Sequence, residues 1–295
     1  MAGRRKARGR WHTEITLNTA HIASPPPTGR EGSHFLRYPL VWMLIGIVGV
    51  GLASSLASVG GVVAIVGAVV AVGIYWAVMH YVARRSTPEI AKPGAVTQTL
   101  SGAAIGFGFI TVSMLMLITE FSFDERPGNG LSIVASMAAM SLGAAVTEEL
   151  LFRGLALQAL EKLCGSWAAL TTTAVLFGGL HMANPGATLW SSLAIAVEAG
   201  VLLGAAFLWK RNIWFAVGLH FAWNTALGLI GIPVSGHASE GLMTTTPDGP
   251  DLLTGGDFGL EASIVPVIVS LLIAIPMLIA ARRRGNIVPM PRGRR

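Results

Sequence analysis

The 295-residue chain is 53% hydrophobic and only 12% charged, with a mean hydropathy of +0.63. Soluble domains carry roughly 25% charged residues, so this composition excludes an ordinary water-soluble enzyme and indicates an integral membrane protein. The net charge of +6 does not imply a nucleic-acid partner, because the basic residues are distributed along the chain rather than gathered into one patch.

Residues 1–39 are basic, contain Pro25, Pro26 and Pro27, and show no apolar period, which predicts a flexible tail. The small residues from Leu52 to Ser58 resemble a signal-peptide cleavage region. The n-region would be unusually long, however, and the apolar run is long enough to span, so a tail is preferred. Its arginines suit contact with anionic headgroups, although a topology signal alone accounts for them.

Eight apolar runs follow, at 40–59, 61–83, 100–119, 131–159, 167–182, 189–209, 213–232 and 262–281. At 1.5 Å per helical residue, about 20 residues match the bilayer. The predicted fold is therefore all-α, a polytopic membrane protein with about eight transmembrane helices. Residues 40–130 hold the N-terminal helices and 131–232 a core; 233–261 form an outer acidic loop and 262–295 the last helix and a basic tail.

If the N-terminus is cytoplasmic and all eight runs span, every Lys and Arg except Arg126 and Arg153 falls on the cytoplasmic side. The segment 233–261 has neither, but carries Glu240, Asp248, Asp251, Asp257 and Glu261. The positive-inside rule then places both termini in the cytoplasm.

Three charges interrupt the fourth run: Glu148, Glu149 and Arg153. An ionisable side chain at membrane depth costs at least a few kcal/mol and marks a functional site by default. Glu149 and Arg153 are i and i+4 on nearly one helix face, acid first, which is the better order for a pair. Glu148 projects about 100° away without a local counter-charge. A carboxylate desolvated in this way is suited to take a proton from water and return it to a leaving group. The plain alternative is a structural ion pair plus a stray acid.

Farther on, Phe177 and His181 share a face, and Gly178 and Gly179 thin the helix so that a backbone or substrate can come close. A lone His in an apolar helix is more often a hydrogen-bonded core residue, but its companions favour function. His220 and Asn224 repeat the i, i+4 spacing with two groups that can donate hydrogen bonds to a developing oxyanion, or join helices structurally.

The ordered set Glu-Glu-x-x-x-Arg, Phe-x-x-x-His and His-x-x-x-Asn, on successive membrane segments between Leu131 and Ile232, resembles the CPBP family of intramembrane proteases. That family includes type II CAAX prenyl endopeptidases and bacterial proteins linked with bacteriocin processing or immunity. The resemblance implies that Glu148 and His181 activate water, that His220 and Asn224 stabilise the oxyanion, and that Glu149 and Arg153 support the site. The implied substrate is a membrane-embedded or lipid-anchored protein or peptide, prenylated in the eukaryotic case. Glu148, His181 and His220 are also the candidates for a zinc site with an open water position. There is no His-Glu-x-x-His motif, and a metal-free glutamate–histidine pair is preferred. The composition suggests a bacterial cell membrane.

Counting along the helices puts Glu148 and His220 in the cytoplasmic half and His181 on the far side. The fourth run is overlong, so 148–162 is expected to bend into an interfacial helix and open the site toward the cytoplasm. Of the lesser polar residues, Glu198 is expected to make a helix–helix hydrogen bond or line a cavity, and His80 to be interfacial. Glu120, Asp124 and Glu125 should form a solvated outer loop, and Cys164 a small residue at a helix end. Gly102-x-x-x-Gly106 and Gly200-x-x-x-Gly204 are candidates for close helix contact. The competing functions are a catalytically silent immunity or scaffold protein and a proton-coupled transporter.

Overall fold

The computed structural model describes residues 35–291; the N-terminal tail and the last arginines predicted above lie outside them. Apolar runs without interior turn residues form helices here because only intrasegment hydrogen bonds satisfy the backbone in lipid. In chain order these are α1 (Pro39–Ala57), α2 (Gly61–Ala77), α3 (Ala95–Leu117), α4 (Gly130–Glu149) and α5 (Gln158–His181). They are followed by α6 (Leu189–Ile195), α7 (Gly204–Lys210), α8 (Ile213–Leu229) and α9 (Ile264–Arg283).

Three π-helical segments interrupt this pattern, Val78–Val82 after α2, Leu150–Leu157 between α4 and α5, and Ala196–Leu203 between α6 and α7. The stretch Gly130–His181 is 52 residues of nearly continuous helix, far longer than one bilayer crossing. It turns back at Gly165, where φ of 80° and ψ of 167° lie outside the helical region and suit only glycine. The fourth and fifth predicted spans are thus two arms of one bent helix. Among the described residues six helices are long and apolar enough to cross, and Ile213–Leu229 is a shorter apolar one. The predicted bend at 148–162 is instead a π segment inside the bundle, with the break a few residues later at Gly165.

Exposed side chains such as Leu52, Val69, Leu115 and Leu272 stud the outer helices, as a lipid-facing surface requires. The α6–α7 unit is the centre: 78% of its most apolar window is buried, against 28–39% for the other long helices. α3 packs along α8, the most extensive helix pair in the bundle. A Cβ on Gly102 would run into the Phe215 carbonyl oxygen, one on Gly106 into that of Leu219, and one on Gly218 into that of Thr99. The second predicted pair also packs: Gly200 abuts Ala174 and Gly204 abuts Leu170, both on α5.

The bundle has two chemically distinct ends. At the basic end, Arg211 holds Glu161 in a bidentate pair at 2.6 and 2.7 Å. Asn286 Nδ2 donates to the Leu208 and Trp209 carbonyls, and Val288 clamps Ser166 in both directions. Also at this end, Tyr75 donates to Glu89 at 2.5 Å and accepts from Arg85 and Gln158.

The other end carries the acidic segment. The expected outer loop at 120–125 is instead an edge, β1 (Phe121–Glu125), paired antiparallel with β2 (Met243–Pro247). Asp124 and Glu125 remain exposed on it, as expected, while alternation turns Phe121 inward. Glu261, which the sequence places among the acids of the outer segment 233–261, is only 3% exposed.

Gly106→Ala should lower the thermal midpoint of the detergent-purified protein, by about 1–3 kcal/mol of overpacking. Gly108→Ala, where a Cβ meets nothing within 4 Å, should not lower it. Circular dichroism melts of the two variants check this.

Candidate active site

The last turn of α4 and the π segment after it put Glu149 and Arg153 in the protein interior, 0% and 2% exposed. Their predicted pair forms, with Arg153 Nη1 donating to Glu149 Oε1 at 2.9 Å. Arg153 Nη2 donates to the carbonyls of Ala199 and Gly200 at 2.5 and 3.2 Å. Both carbonyls belong to the π segment Ala196–Leu203. Such register shifts redirect backbone groups and recur at functional sites.

Glu149 also reaches α8. Its Oε1 accepts from His220 Nδ1 at 3.0 Å, which fixes the proton on Nδ1 when the ring is neutral and leaves Nε2 facing Glu148. Glu148 Oε2 lies 4.0 Å from His220 Nε2, beyond direct bonding and within reach of a bridging water. The Glu148 side chain is 30% exposed, so the two neighbouring glutamates occupy different environments. One is a buried support; the other borders open space.

That space is a cavity of about 1000 Å³. Glu148, His181, His220 and Asn224 all line it, so the three motifs do converge on one chamber. Asn224 lies one turn beyond His220 on α8 and is 8% exposed.

His181 is the outlier. Its Nδ1 donates to the Phe177 carbonyl at 2.7 Å, which leaves Nε2 as a free acceptor, and among the described residues no hydrogen bond or ion pair joins it to Glu148 or His220. Its connection to the cluster is aromatic. The His181 ring stacks on Phe177 at 4.6 Å, and Arg153 sits over the Phe177 ring at 5.3 Å. Of the two predicted thinning glycines, Gly178 lies against the Ser192 carbonyl, while Gly179 faces open space.

Two expectations are corrected. The cavity does not open toward the basic end. Its exposed lining residues, among them Ser58, Ser132, Ser136 and Glu240, lie at the acidic end, where α4 begins and α5 ends. Glu198 neither lines the cavity nor finds a hydrogen-bond partner among the described residues, although it is completely buried. The zinc candidates Glu148, His181 and His220 do not fit a metal ion as placed: among the described residues no three His, Cys, Asp or Glu side chains stand close enough to hold one.

Sequence reasoning missed Glu261 as a wall of this cavity. Its Oε2 accepts from the Ser235 backbone N–H, and Asn184 Nδ2 donates to the Ser235 carbonyl at 2.8 Å, so this acid anchors the loop over the chamber. Burial pushes the Glu261 carboxyl up to about 7, against the lowering effect of the Ser235 hydrogen bond. No periodicity signals this.

A bent helical bundle with a Glu–Arg–His cluster backing a chamber of mixed polar and apolar lining defines a membrane-integral protein with ionisable side chains gathered inside the bundle. Residues 130–226 match the family model described as Rce1-like, type II CAAX prenyl endopeptidase Rce1-like. The match covers roughly a third of the chain and makes that stretch similar to the type II CAAX prenyl endopeptidases, the likeness that the ordered motifs already carried. No curated protein and no solved structure matches the chain.

Arg153→Met strands the buried Glu149 carboxylate and should destabilise the protein by about 3–5 kcal/mol. The double variant Glu149→Gln/Arg153→Met should recover part of that loss in the same denaturant titration. Glu261 supplies a pH signature. A raised carboxyl makes the unfolded chain lose its proton first, so stability should fall as pH rises from about 4.5 to about 7 and then level off. Thermal midpoints of Glu261→Gln across that window should show a smaller fall than the wild type.

Proposed function

We propose that the chain is an intramembrane endopeptidase that hydrolyses a peptide bond of a membrane-embedded or lipid-anchored protein or peptide, with Glu148 as the base that activates water. The supporting observation is the single cavity lined by Glu148, His181, His220 and Asn224, backed by the Glu149–Arg153 pair. The family description makes a prenylated protein the first substrate class to try.

In this reading a water held between Glu148 and His220 gives its proton to the Glu148 carboxylate as its oxygen attacks the scissile carbonyl carbon. The carbonyl π pair moves to oxygen. Asn224 Nδ2–H and a protonated His220 Nε2–H donate to that oxyanion, and Glu149 balances the imidazolium from the other ring nitrogen. Collapse of the tetrahedral intermediate breaks the C–N bond, and Glu148 returns its proton to the leaving amine. His181, with its free Nε2 on the cavity wall, orients water or substrate polar groups. Arg153 holds Glu149 in register through their pair and touches no substrate.

Glu148→Gln should reduce fragment release from a membrane substrate by about 10²–10⁴. Asn224→Ala should reduce it by about 10²–10³ through loss of one oxyanion donor. A chelator should leave the wild-type rate unchanged if the glutamate–histidine mechanism operates alone. Comparing membrane proteomes with wild type and Glu148→Gln reads these outcomes, and near-normal activity in the latter refutes Glu148 as the base.

A further inference from the structure

The basic end carries more cations than its own acids match. Among the described residues its acids are Glu89 and Glu161, and an arginine takes each through both carboxylate oxygens. Arg85 holds Glu89 at 2.8 and 3.2 Å, and Arg211 holds Glu161 at 2.6 and 2.7 Å. Lys210, Arg282, Arg283 and Arg284 are left without an acidic partner among the described residues.

Two of these cations converge on one ring. Lys210 Nζ lies 3.9 Å from the centre of the Trp209 ring and 5.1 Å from that of Phe215, and the Arg284 guanidinium carbon lies 5.4 Å from the Trp209 ring. An indole face attracts a cation, but it has no charge to cancel the repulsion between two of them. Neither side chain makes a hydrogen bond to another described residue, so the ammonium and guanidinium donors are available to an outside acceptor.

The backbone holds this pair together. Asn286 Nδ2 donates to the carbonyls of Leu208 and Trp209, both at 3.0 Å, and Arg211 donates to the Asn286 carbonyl. These bonds fix the end of α9 against the end of α7. The same segment runs on to Val288, which bonds Ser166 in both directions, and to Pro289 and Met290, whose backbone a Cβ on Gly165 would strike. A ligand joining Lys210 to Arg284 therefore braces the turn that reverses the long helix.

The surroundings favour a lipid over a soluble anion. Ile279 on α9 is exposed, as are Val96 and Leu100 at the start of α3. Trp214, the residue before Phe215, walls an apolar cleft of about 240 Å³ at the same end, together with Ala95, Val96, Thr99 and Leu100. Tryptophans at the border of an apolar surface sit at headgroup level, where Lys and Arg draw anionic lipid.

We propose that Lys210 and Arg284, over the Trp209 ring, form a binding site for the phosphate of an anionic phospholipid. The positive-inside rule puts this site at the cytoplasmic leaflet. It is separate from the chamber and independent of the hydrolase reading.

The test titrates three ligands onto the full-length protein in neutral detergent: a short-chain phosphatidylglycerol, a phosphatidylcholine with the same chains, and inorganic phosphate. Native mass spectrometry reads bound lipid, and circular dichroism reads the thermal midpoint. Phosphatidylglycerol should bind about tenfold tighter than phosphatidylcholine. It should also raise the midpoint, which inorganic phosphate at the same concentration should not do. Lys210→Gln/Arg284→Gln should lose most of this preference, and Lys210→Arg should keep it. Arg84→Gln/Lys92→Gln removes the same net charge elsewhere at the basic end and should also keep it. Should Lys210→Gln/Arg284→Gln not fold, the single variants Lys210→Gln and Arg284→Gln decide instead, each losing part of the preference. Equal binding of the two lipids, or equal loss in both double variants, overturns the site in favour of a diffuse basic surface. Equal stabilisation by inorganic phosphate overturns the lipid as its ligand.

Discussion

A guanidinium taken into a bilayer must be matched donor by donor, and the solution found for Arg153 ties the protein together. One amine faces Glu149 and the other faces two carbonyls of the central helix. Glu149 in turn holds His220 on α8. One ion pair therefore sets the relative position of three membrane segments. Removing either partner would leave an uncompensated charge at depth, which is more disruptive than never having placed the pair there.

The same pair explains why two adjacent glutamates differ. Both ride on one helix turn, about 100° apart, so when Glu149 is drawn inward to Arg153 and His220, Glu148 is turned to the chamber. Glu149 Oε2 has no hydrogen-bond partner among the described residues and retains capacity for one more. Phe177 extends the cluster through its face, lying between the Arg153 cation and the His181 ring. The Phe-x-x-x-His spacing is thus a cation–aromatic–imidazole stack, with His181 oriented by packing rather than by bonding to the acid.

Chemistry at the two ends of the bundle is separated as clearly as that of its interior and lipid face. Arginine pairs and the C-terminal clamp close one end, while a two-stranded antiparallel sheet and the acid-rich segment shape the other. Glycine contacts let α3 lie against α8 and hold the His220 helix firmly. Firm walls around a chamber that opens at one end suit a site that admits a chain segment and limits bulk water.

Much of this was legible in the residues because it depends on local periodicity. Membrane helices announce themselves by apolar length, the Glu149–Arg153 pair by i, i+4 spacing, and the glycine contacts by a four-residue repeat. Each needs only one helix to be understood. Depth along a helix was also countable, yet it gave the wrong opening, since it treated each run as a straight rod. The turn at Gly165 and the π segments redirect side chains without changing composition.

The sequence by itself determined a polytopic helical membrane protein with a buried acid, base and two imidazoles in ordered motifs. Tertiary structure alone decided that His220 answers to Glu149, that His181 lines the chamber without bonding to either, that Glu261 is buried in its lining, and that the chamber opens at the acidic end. The physical reason is that covalent order specifies which groups share a helix face. Which faces meet, and what space remains between them, depends on packing among segments far apart in the chain.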